Sequence, residues 1–343
     1  MLHFVIALLP LGAAPEPPPP AAQPAVTLET RVKELEQELQ RLRLRAEPES
    51  TSEPVDPPPA VSSPNVFNPT VTVFGNGLYR YADAGIDNYF NLREVEVDFQ
   101  AAVDPFADGV LIVTFESEAP GEVEAAVEEG FVNIKHLPLP LFDEPPLGLK
   151  LKVGRFRTET GRVNRLHLHD LPQMTRPLVI EEFLGEEGFI GNGISAQVFL
   201  PTPFDEDSAV ELVAQALTGG GVAVAPGPAR SPGFVGNLRW FRAVSGAHNF
   251  DLSLIFHYGR TAPEVKLGAT TYSADFLYKW KPLRGGEFRS FVLGGQVMYA
   301  RRAFLVATEQ REARPLGYFA FAQHQLTRAT YLGARWDDTA TIT

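Results

Sequence analysis

Apolar and polar residues alternate along most of the chain from Val71 onward. In the segment 249–258, one set of alternating positions holds Phe250, Leu252, Leu254, Phe256 and Tyr258. The other set holds Asn249, Asp251, Ser253, Ile255 and His257. Successive side chains of a β-strand point to opposite faces, so this pattern predicts a strand with one apolar and one mostly polar face. Many long strands of this kind are typical of a membrane β-barrel, with lipid outside and water inside.

The alternation predicts thirteen strands. They lie at approximately 70–81, 88–104, 108–119, 121–136, 147–158, 193–201, 208–218, 233–245, 248–260, 264–281, 287–302, 314–327 and 328–338. Most exceed the length of about 5–6 residues that is usual in soluble β-proteins, and a membrane-spanning strand needs about 9–11. The sequence therefore favours an all-β, antiparallel transmembrane β-barrel over the alternative, a soluble β-sandwich or lectin-like protein.

The polar face of the predicted barrel wall carries charges. In the second strand, the apolar side chains of Val95, Val97 and Phe99 share one face, and the residues between them are expected to face the lumen. The lumen residues expected to set selectivity are Glu94, Glu96, Asp98, Lys150, Lys152, Arg239 and Lys279. Because carboxylates dominate the early strands, we expect a modest preference for cations.

The N-terminal region predicts several short segments ahead of the barrel. Residues 1–14 resemble the apolar core of a secretory signal peptide, and 15–26 form a proline-rich linker. Residues 27–46 predict a coiled-coil helix, with a seam formed by Leu28, Val32, Leu35, Leu39 and Leu42. Residues 47–65 form a second linker rich in proline, serine and acidic residues, and the barrel is expected over 66–343.

Composition removes several classes of function. The chain has 30 basic and 42 acidic residues, a formal charge of -12, which argues against nucleic acid as a partner. It has no cysteine, so disulfides, thiolate metal sites and cysteine nucleophiles are excluded. No run of about 18 apolar residues predicts a spanning helix.

The C-terminal end differs from that of a complete bacterial barrel. Such barrels have an even number of strands, whereas thirteen are predicted here. The chain also ends on residues 339–343, Thr-Ala-Thr-Ile-Thr, without a terminal aromatic residue. We therefore expect a porin-like barrel that lacks its last strands.

The long connection at 160–191 contains the best candidate for a metal site. In an extended stretch His167 and His169 project to the same side, and imidazoles suit zinc or copper. Asp170, or the glutamate pairs at 181–182 and 186–187, would add oxygen ligands, and the alternative is a polar surface loop. The connection itself is expected either to fold into the lumen as a constriction or to pack as an outer loop.

No catalytic motif is found in the sequence. There is no glycine-rich phosphate loop and no Gly-x-Ser-x-Gly elbow. Asp251, Ser253 and His257 share one face of a predicted strand, but their spacing does not bring them to one point. We therefore expect a protein that is not an enzyme.

Two stretches resemble the phosphate-selective-porin-like family of outer-membrane barrels. They are Phe90-Asn-Leu-Arg-Glu-Val-Glu-Val-Asp-Phe99 and Leu149-Lys-Leu-Lys-Val-Gly-Arg-Phe-Arg157. The segment 171–203, which includes Phe-Leu-Gly-Glu-Glu-Gly at 183–188, is similar to proteins labelled zinc-regulated TonB-dependent outer-membrane receptors. The first resemblance implies a porin-like barrel, often preceded by a coiled coil, and the second implies a link to zinc.

Together these features predict a channel in the outer membrane of a Gram-negative-type bacterium. Its expected partners are outer-membrane lipid, small hydrophilic solutes or ions, and further copies of itself, with a trimer expected by analogy with porins. Two alternatives stay open. One is an uptake receptor or porin linked to zinc ions, and the other is a structural barrel tethered to periplasmic partners through its coiled coil.

Overall fold

The computed structural model describes residues 2–6, 69–80, 89–117, 123–137, 145–202, 207–218, 233–262, 267–283, 288–306 and 309–340. The predicted proline-rich linkers and the coiled coil, at residues 15–65, lie outside these ranges. Within the described ranges, no helix is long and apolar enough to cross a membrane.

Fifteen strands account for most of the described residues. They are β1 (Leu2–Ile6), β2 (Thr70–Arg80), β3 (Tyr89–Asp104), β4 (Ala107–Glu116), β5 (Glu124–Ile134), β6 (Lys150–Arg157), β7 (Ile190–Leu200), β8 (Ser208–Thr218), β9 (Gly233–Ser245), β10 (His248–Ala262), β11 (Leu267–Trp280), β12 (Ser290–Val306), β13 (Glu309–Ala313), β14 (Leu316–Gln325) and β15 (Tyr331–Thr339). The one described α-helix is α1 (Leu178–Leu184).

These strands form a single antiparallel sheet in which neighbours in sequence are neighbours in space. The order runs from β2 through β12 and then to β14, β15 and β1, while β13 pairs with β12. The thirteen predicted strands are confirmed as β2 to β12, β14 and β15. The short β13 was not predicted, and it extends the β12–β14 hairpin, since Arg302 pairs with Ala313 and Val306 with Glu309.

The predicted signal peptide overlaps a described strand. Leu2 to Ile6 pair with β15, from Trp336 to Leu332. This pairing belongs to the uncleaved chain, and removal of residues 1–14 stays a prediction.

Burial along the strands is the reverse of that in a soluble protein. In β10, Asp251, Ser253 and His257 are at most 5% exposed, whereas Leu254 is 53% and Phe256 is 43% exposed. The other strands follow the same rule, with exposed apolar residues that include Val73, Phe234, Tyr272, Val297, Leu316 and Trp336. The apolar faces therefore point outward and the polar faces inward, as the alternation predicts.

The sheet curves around the segment that joins β6 to β7. Side chains from distant strands bond to this one segment: Arg93 of β3, Gln215 of β8, Asp275 of β11, Gln296 of β12 and Arg335 of β15. A flat sheet with strands about 4.8 Å apart could not bring β3 and β15 to the same short segment. The sheet is therefore a barrel wall, and the segment lies within it.

Candidate functional site

The inner segment comprises residues 158–189, between the end of β6 and the start of β7. It contains two 3-10 turns, Val163–Arg165 and Leu168–Asp170, and the helix α1. Of the two alternatives for this connection, the structure has the one in which it folds inward. A segment in this position narrows the lumen, so it is the natural candidate for a selectivity element.

Asn164 joins the two ends of the inner segment, Thr158 and Phe189, which are called its neck below. It is fully buried, and its Nδ2 donates to the carbonyl oxygens of Thr158, at 2.9 Å, and Phe189, at 3.0 Å. Its Oδ1 accepts from the backbone N–H of Phe189 at 2.6 Å. Since Thr158 N also donates to Phe189 O at 3.0 Å, the two ends of the segment are held together at the barrel wall.

Helix α1 and the residues beside it fill part of the lumen with an apolar core. Val179, Ile180, Phe183 and Leu184 are at most 1% exposed. They belong to one buried cluster with inward residues of the wall, among them Leu217, Val235, Ile255, Met298, Phe319 and Phe321. The inner face of the wall is therefore apolar where the segment packs against it. Burial of this apolar surface stabilises the inward position of the segment.

Ion pairs hold the first turn of the inner segment against β9, β10 and β11. The guanidinium of Arg162 lies 3.1 Å from Asp251 and 3.4 Å from Asp275. Arg239 donates to both carboxylate oxygens of Asp251, with its Nε at 2.9 Å from one of them, and lies 3.4 Å from Glu211. Buried charges are stable only when paired in this way.

A second charged cluster joins the inner segment to β3 and β5. Nδ1 of His167 lies 3.0 Å from Glu96 and 3.2 Å from Glu128, and its Nε2 lies 3.0 Å from Glu129. Burial acts to lower the pKa of His167, but hydrogen bonds with Glu129 and Glu96 outweigh it and raise the pKa to about 9. The ring is therefore an imidazolium at neutral pH, matched to the carboxylates around it.

A register irregularity in β5 explains how two adjacent glutamates meet the same histidine. Ile112 pairs with Glu129, but the next residue, Val113, pairs with Val127. The extra residue, Glu128, is a β-bulge, and both glutamates therefore point inward. Glu128 also pairs with Arg157 at the end of β6.

His169 lies beside this cluster but faces a different pair of carboxylates. Its ring stacks on Phe74 of β2, with centroids 4.6 Å apart, and its Nδ1 lies 3.6 Å from Oε2 of Glu96. One ring nitrogen of His169 and one carboxylate oxygen each of Glu94 and Glu96 all lie within 4.8 Å of one another. Asp170 lies at the other ring nitrogen, 3.6 Å away, with its side chain 54% exposed.

The predicted lumen residues take different positions. Glu94 and Glu96 are buried inside the wall and Asp98 is partly buried, while Arg239 belongs to the Asp251 ion pairs. Nζ of Lys152 lies over the ring of Phe131, 4.4 Å from its centroid. Lys150 and Lys279 are exposed near the ends of their strands.

Several residues of the site were not predicted. They are Asn164, Glu129 and Asp275, together with the pairing of Arg157 with Glu128. The doublet at 128–129 breaks the two-residue alternation, and that break is a sequence signal for a bulge. Asn164 leaves no such signal, because its role depends on the distance between Thr158 and Phe189.

The strand triad considered for catalysis is not brought together. Asp251 bonds to Arg239 and Arg162, and the ring of His257 stacks on Phe189 with centroids 5.0 Å apart. Within the described part of the chain, neither ring nitrogen of His257 has a hydrogen-bond partner.

Beside the inner segment lies a cavity of about 830 Å³. Its wall side includes Asn91, Arg93, Glu94, Glu116 and Ser117, and its inner-segment side includes Met174, Thr175, Arg176, Glu181, Glu186 and Glu187. Five glutamates and two arginines thus line the space. The inner segment therefore leaves an acidic, water-accessible space against the β3–β4 side of the barrel.

No family model matches this chain. An uncharacterized protein of Aquifex aeolicus (strain VF5) is 32% identical over 130 residues, which are 38% of this chain and 25% of that protein. The chain therefore spans about a quarter of the length of the curated relative that it matches.

Among solved structures, two outer-membrane-type proteins are similar at low TM-scores. The loop L8 deletion mutant of OmpT, an outer membrane protein of Vibrio cholerae, aligns with 79% of this chain and 100% of its own, at 10% identity and a TM-score of 0.38. The anion-selective porin from Comamonas acidovorans aligns over the same shares, at 10% identity and a TM-score of 0.35. At such values the fold assignment rests on the strand register and the burial of this chain itself.

Proposed function

We propose that this protein is a water-filled channel in the outer membrane of a Gram-negative-type bacterium, which passes small hydrophilic solutes or ions. The observation that carries the proposal is the reversed burial of the strands. Leu254 and Phe256 of β10 are about half exposed, while Asp251, Ser253 and His257, at the alternating positions of the same strand, are buried. Exposed apolar strand faces are costly in water and stable in a bilayer.

The inner segment is the proposed constriction. It is anchored at its neck by Asn164, on one side by Arg162 and on the other by His167, so it is fixed rather than hinged. The cavity beside it is the proposed route for solute. With five glutamates against two arginines along that route, the channel is proposed to prefer cations modestly.

The topology supports an orientation for this channel. Thr70, the first residue of β2, pairs with Gln100, close to the tight turn between Asp104 and Ala107. Strand β2 therefore begins at the end of the barrel that holds this short turn, and the inner segment enters from the opposite end. By the usual arrangement of outer-membrane barrels, the short turns face the periplasm.

A homo-oligomer is proposed as the working form, with a trimer as the expected state. The seam in residues 27–46 supports self-association in the periplasm. Deleting residues 25–46 is expected to reduce cross-linked oligomers, and an unchanged cross-linking pattern would show that the barrel wall alone holds the assembly.

The decisive experiment is conductance in planar bilayers, made with the full chain refolded in detergent. A folded barrel is expected to migrate faster on a denaturing gel before boiling than after. Discrete conductance steps from the unboiled form, with none from the boiled form, would support the proposal. A soluble monomer in the absence of detergent would refute it.

The role of the inner segment needs a separate variant. Replacing residues 165–186 with a short Gly-Ser linker is expected to raise the single-channel conductance several-fold, because the apolar core around α1 leaves the lumen. The same linker in place of residues 219–232 is the control and is expected to leave conductance unchanged. Equal conductance of all three folded proteins would contradict the proposal that the inner segment is the constriction.

A further inference from the structure

Three side chains from two elements of the barrel converge on one point. Glu94 and Glu96 lie two residues apart on β3, so both point into the lumen, and His169 reaches them from the inner segment. One ligand atom from each lies within 4.8 Å of the others. Metal–ligand distances of about 2.0–2.2 Å place ligand atoms roughly 3–4 Å apart, so these three groups need only a small approach to surround a single cation.

Two atoms of this cluster, Oε2 of Glu94 and Nδ1 of His169, are buried and have no hydrogen-bond partner among the residues that the structure describes. Glu94 is only 4% exposed. A buried carboxylate oxygen without a partner is costly, since it has given up its hydration and gained nothing. A cation between Glu94 and His169 would supply the missing partner to both atoms.

Neighbouring groups fix the orientation of two of the three side chains. The ring of His169 stacks on Phe74 at an interplanar angle of 14°, which turns Nδ1 toward the carboxylates. Glu96 is held by Nδ1 of His167 at 3.0 Å. Such outer contacts hold ligands in place before an ion arrives and are a regular feature of metal sites.

The cluster also has an access route. Glu94 and Leu168 both line the cavity of about 830 Å³ beside the inner segment. An ion reaching the cluster from the lumen would therefore keep one coordination position open to water, as zinc sites with three protein ligands do.

We propose that Glu94, Glu96 and His169 bind one divalent transition cation of the zinc class, with water from the cavity as the fourth ligand. An imidazole with two carboxylates favours zinc-class ions, whereas calcium and magnesium prefer oxygen ligands alone. The ion joins β3 to the inner segment. The site replaces the predicted set of His167, His169 and Asp170, because His167 is already occupied by three glutamates and Asp170 lies at the far ring nitrogen.

The proposal does not depend on conduction, so its test is a binding measurement. The full chain, refolded in detergent micelles without a histidine tag, is titrated with Zn²⁺ by calorimetry and with Co²⁺ by visible absorption. The parent is expected to bind one equivalent of Zn²⁺ and to give the intense visible bands of tetrahedral Co²⁺. His169→Gln and Glu94→Gln are each expected to weaken binding by at least about 10-fold.

Two variants serve as matched controls. His136→Gln removes an exposed histidine, and Glu124→Gln removes an exposed glutamate at the start of β5. Both are expected to bind Zn²⁺ as the parent does. The faster migration of unboiled protein verifies that each variant is folded, and each of the two ligand variants tests the site independently.

The proposal is overturned if the folded parent binds no Zn²⁺. It is also overturned if folded His169→Gln or folded Glu94→Gln binds Zn²⁺ as tightly as the parent. Loss of binding in the ligand variants with retention in both controls supports it. Zn²⁺ should also raise the unfolding temperature of the parent but not of His169→Gln, because a ligand stabilises only the state that binds it.

Discussion

Nδ1 of His167 lies 3.0 Å from Oε2 of Glu96, so the inner segment forms an ion pair with a strand three positions away from the one it leaves. The same ring meets Glu128 and Glu129 on β5. These four groups explain why a connection of 32 residues, numbered 158–189, lies inside the barrel rather than above it.

His167→Leu tests this cluster. The variant would leave the carboxylates of Glu96, Glu128 and Glu129 without their shared cation, and we expect it to lower the free energy of unfolding by about 3 kcal/mol. Urea unfolding in micelles, followed by tryptophan fluorescence, measures the change. His324→Leu, on the outward face of β14, is the control. An equal loss of stability in both variants would show that the cluster has no special role.

Asn164→Ala tests the neck of the inner segment. It removes the bonds to Thr158 and Phe189 and leaves buried backbone groups without partners, so we expect a loss of about 1–3 kcal/mol in stability. We also expect noisier single-channel currents, because the ends of the segment are then free to separate. Asn192→Ala, at an exposed position of β7, should change neither quantity.

Gly161→Ala tests the fit of the first turn of the segment. Gly161 has φ +139°, and a Cβ there would lie about 2.4 Å from Oε1 of Gln296. Gln296 cannot move without losing its bonds to Thr160, at 2.8 Å, and Ser273, at 2.7 Å. We expect a lower unfolding temperature for this variant. Gly236→Ala is the matched control, since nothing lies within 4 Å of its Cβ.

A disulfide can test whether the inner segment is fixed. A Cβ on Gly317 of β14 would lie 2.6 Å from Cγ2 of Val179 in α1. The two Cβ atoms are therefore at most about 4.1 Å apart, within the range for a disulfide. Because the parent has no cysteine, the pair Val179→Cys with Gly317→Cys should oxidise cleanly.

We expect oxidation of this pair to leave conductance unchanged, as it should for a constriction that does not move during transport. Val179→Cys with Gly236→Cys is the control, in which no bond should form. A large fall in conductance on oxidation would instead mean that α1 moves to open the route.

Charge neutralisation along the cavity tests the proposed selectivity. Replacing Glu181 and Glu186 with Gln leaves three acidic and two basic side chains along the route, and we expect the reversal potential to shift toward anions. The shift should shrink as salt rises above about 0.1 M, where the Debye length falls below about 10 Å. Glu309→Gln, on the exposed β13, should cause no shift. A parent channel that already prefers anions would contradict the proposed cation preference.

The strands and their faces could be read from the sequence. A period of two residues fixes which side chains share a face, and a one-residue slip in β3 would turn Val95 and Val97 into the lumen and Glu96 toward lipid. The free-energy cost of exposing these apolar side chains to water is large enough to hold the register of each strand. For the same reason the positions of β2 to β12, β14 and β15 follow from the order of residues alone.

The fold of the inner segment could not be predicted from the sequence. Its residues have no sustained period, and whether it folds inward depends on contacts with wall residues that are up to 160 positions away, such as the bond from Arg335 to Thr175. His167 and His169 were recognisable as a pair, but their partners were not. Glu94, Glu96, Glu128 and Glu129 become neighbours of these histidines only when the sheet curves around the segment.

The positions of thirteen strands, their order and their outward apolar faces follow from the sequence, because they depend on local alternation and on chain order. Which charges meet depends on the tertiary structure. Asp170 directly follows His169 in sequence, and its carboxylate lies 3.6 Å from Nε2 of His169. Glu94 is 75 residues away in sequence, and yet one of its oxygens lies within 4.8 Å of a ring nitrogen of His169. Proximity across a curved sheet depends on the curvature, and curvature is a property of all the strands together.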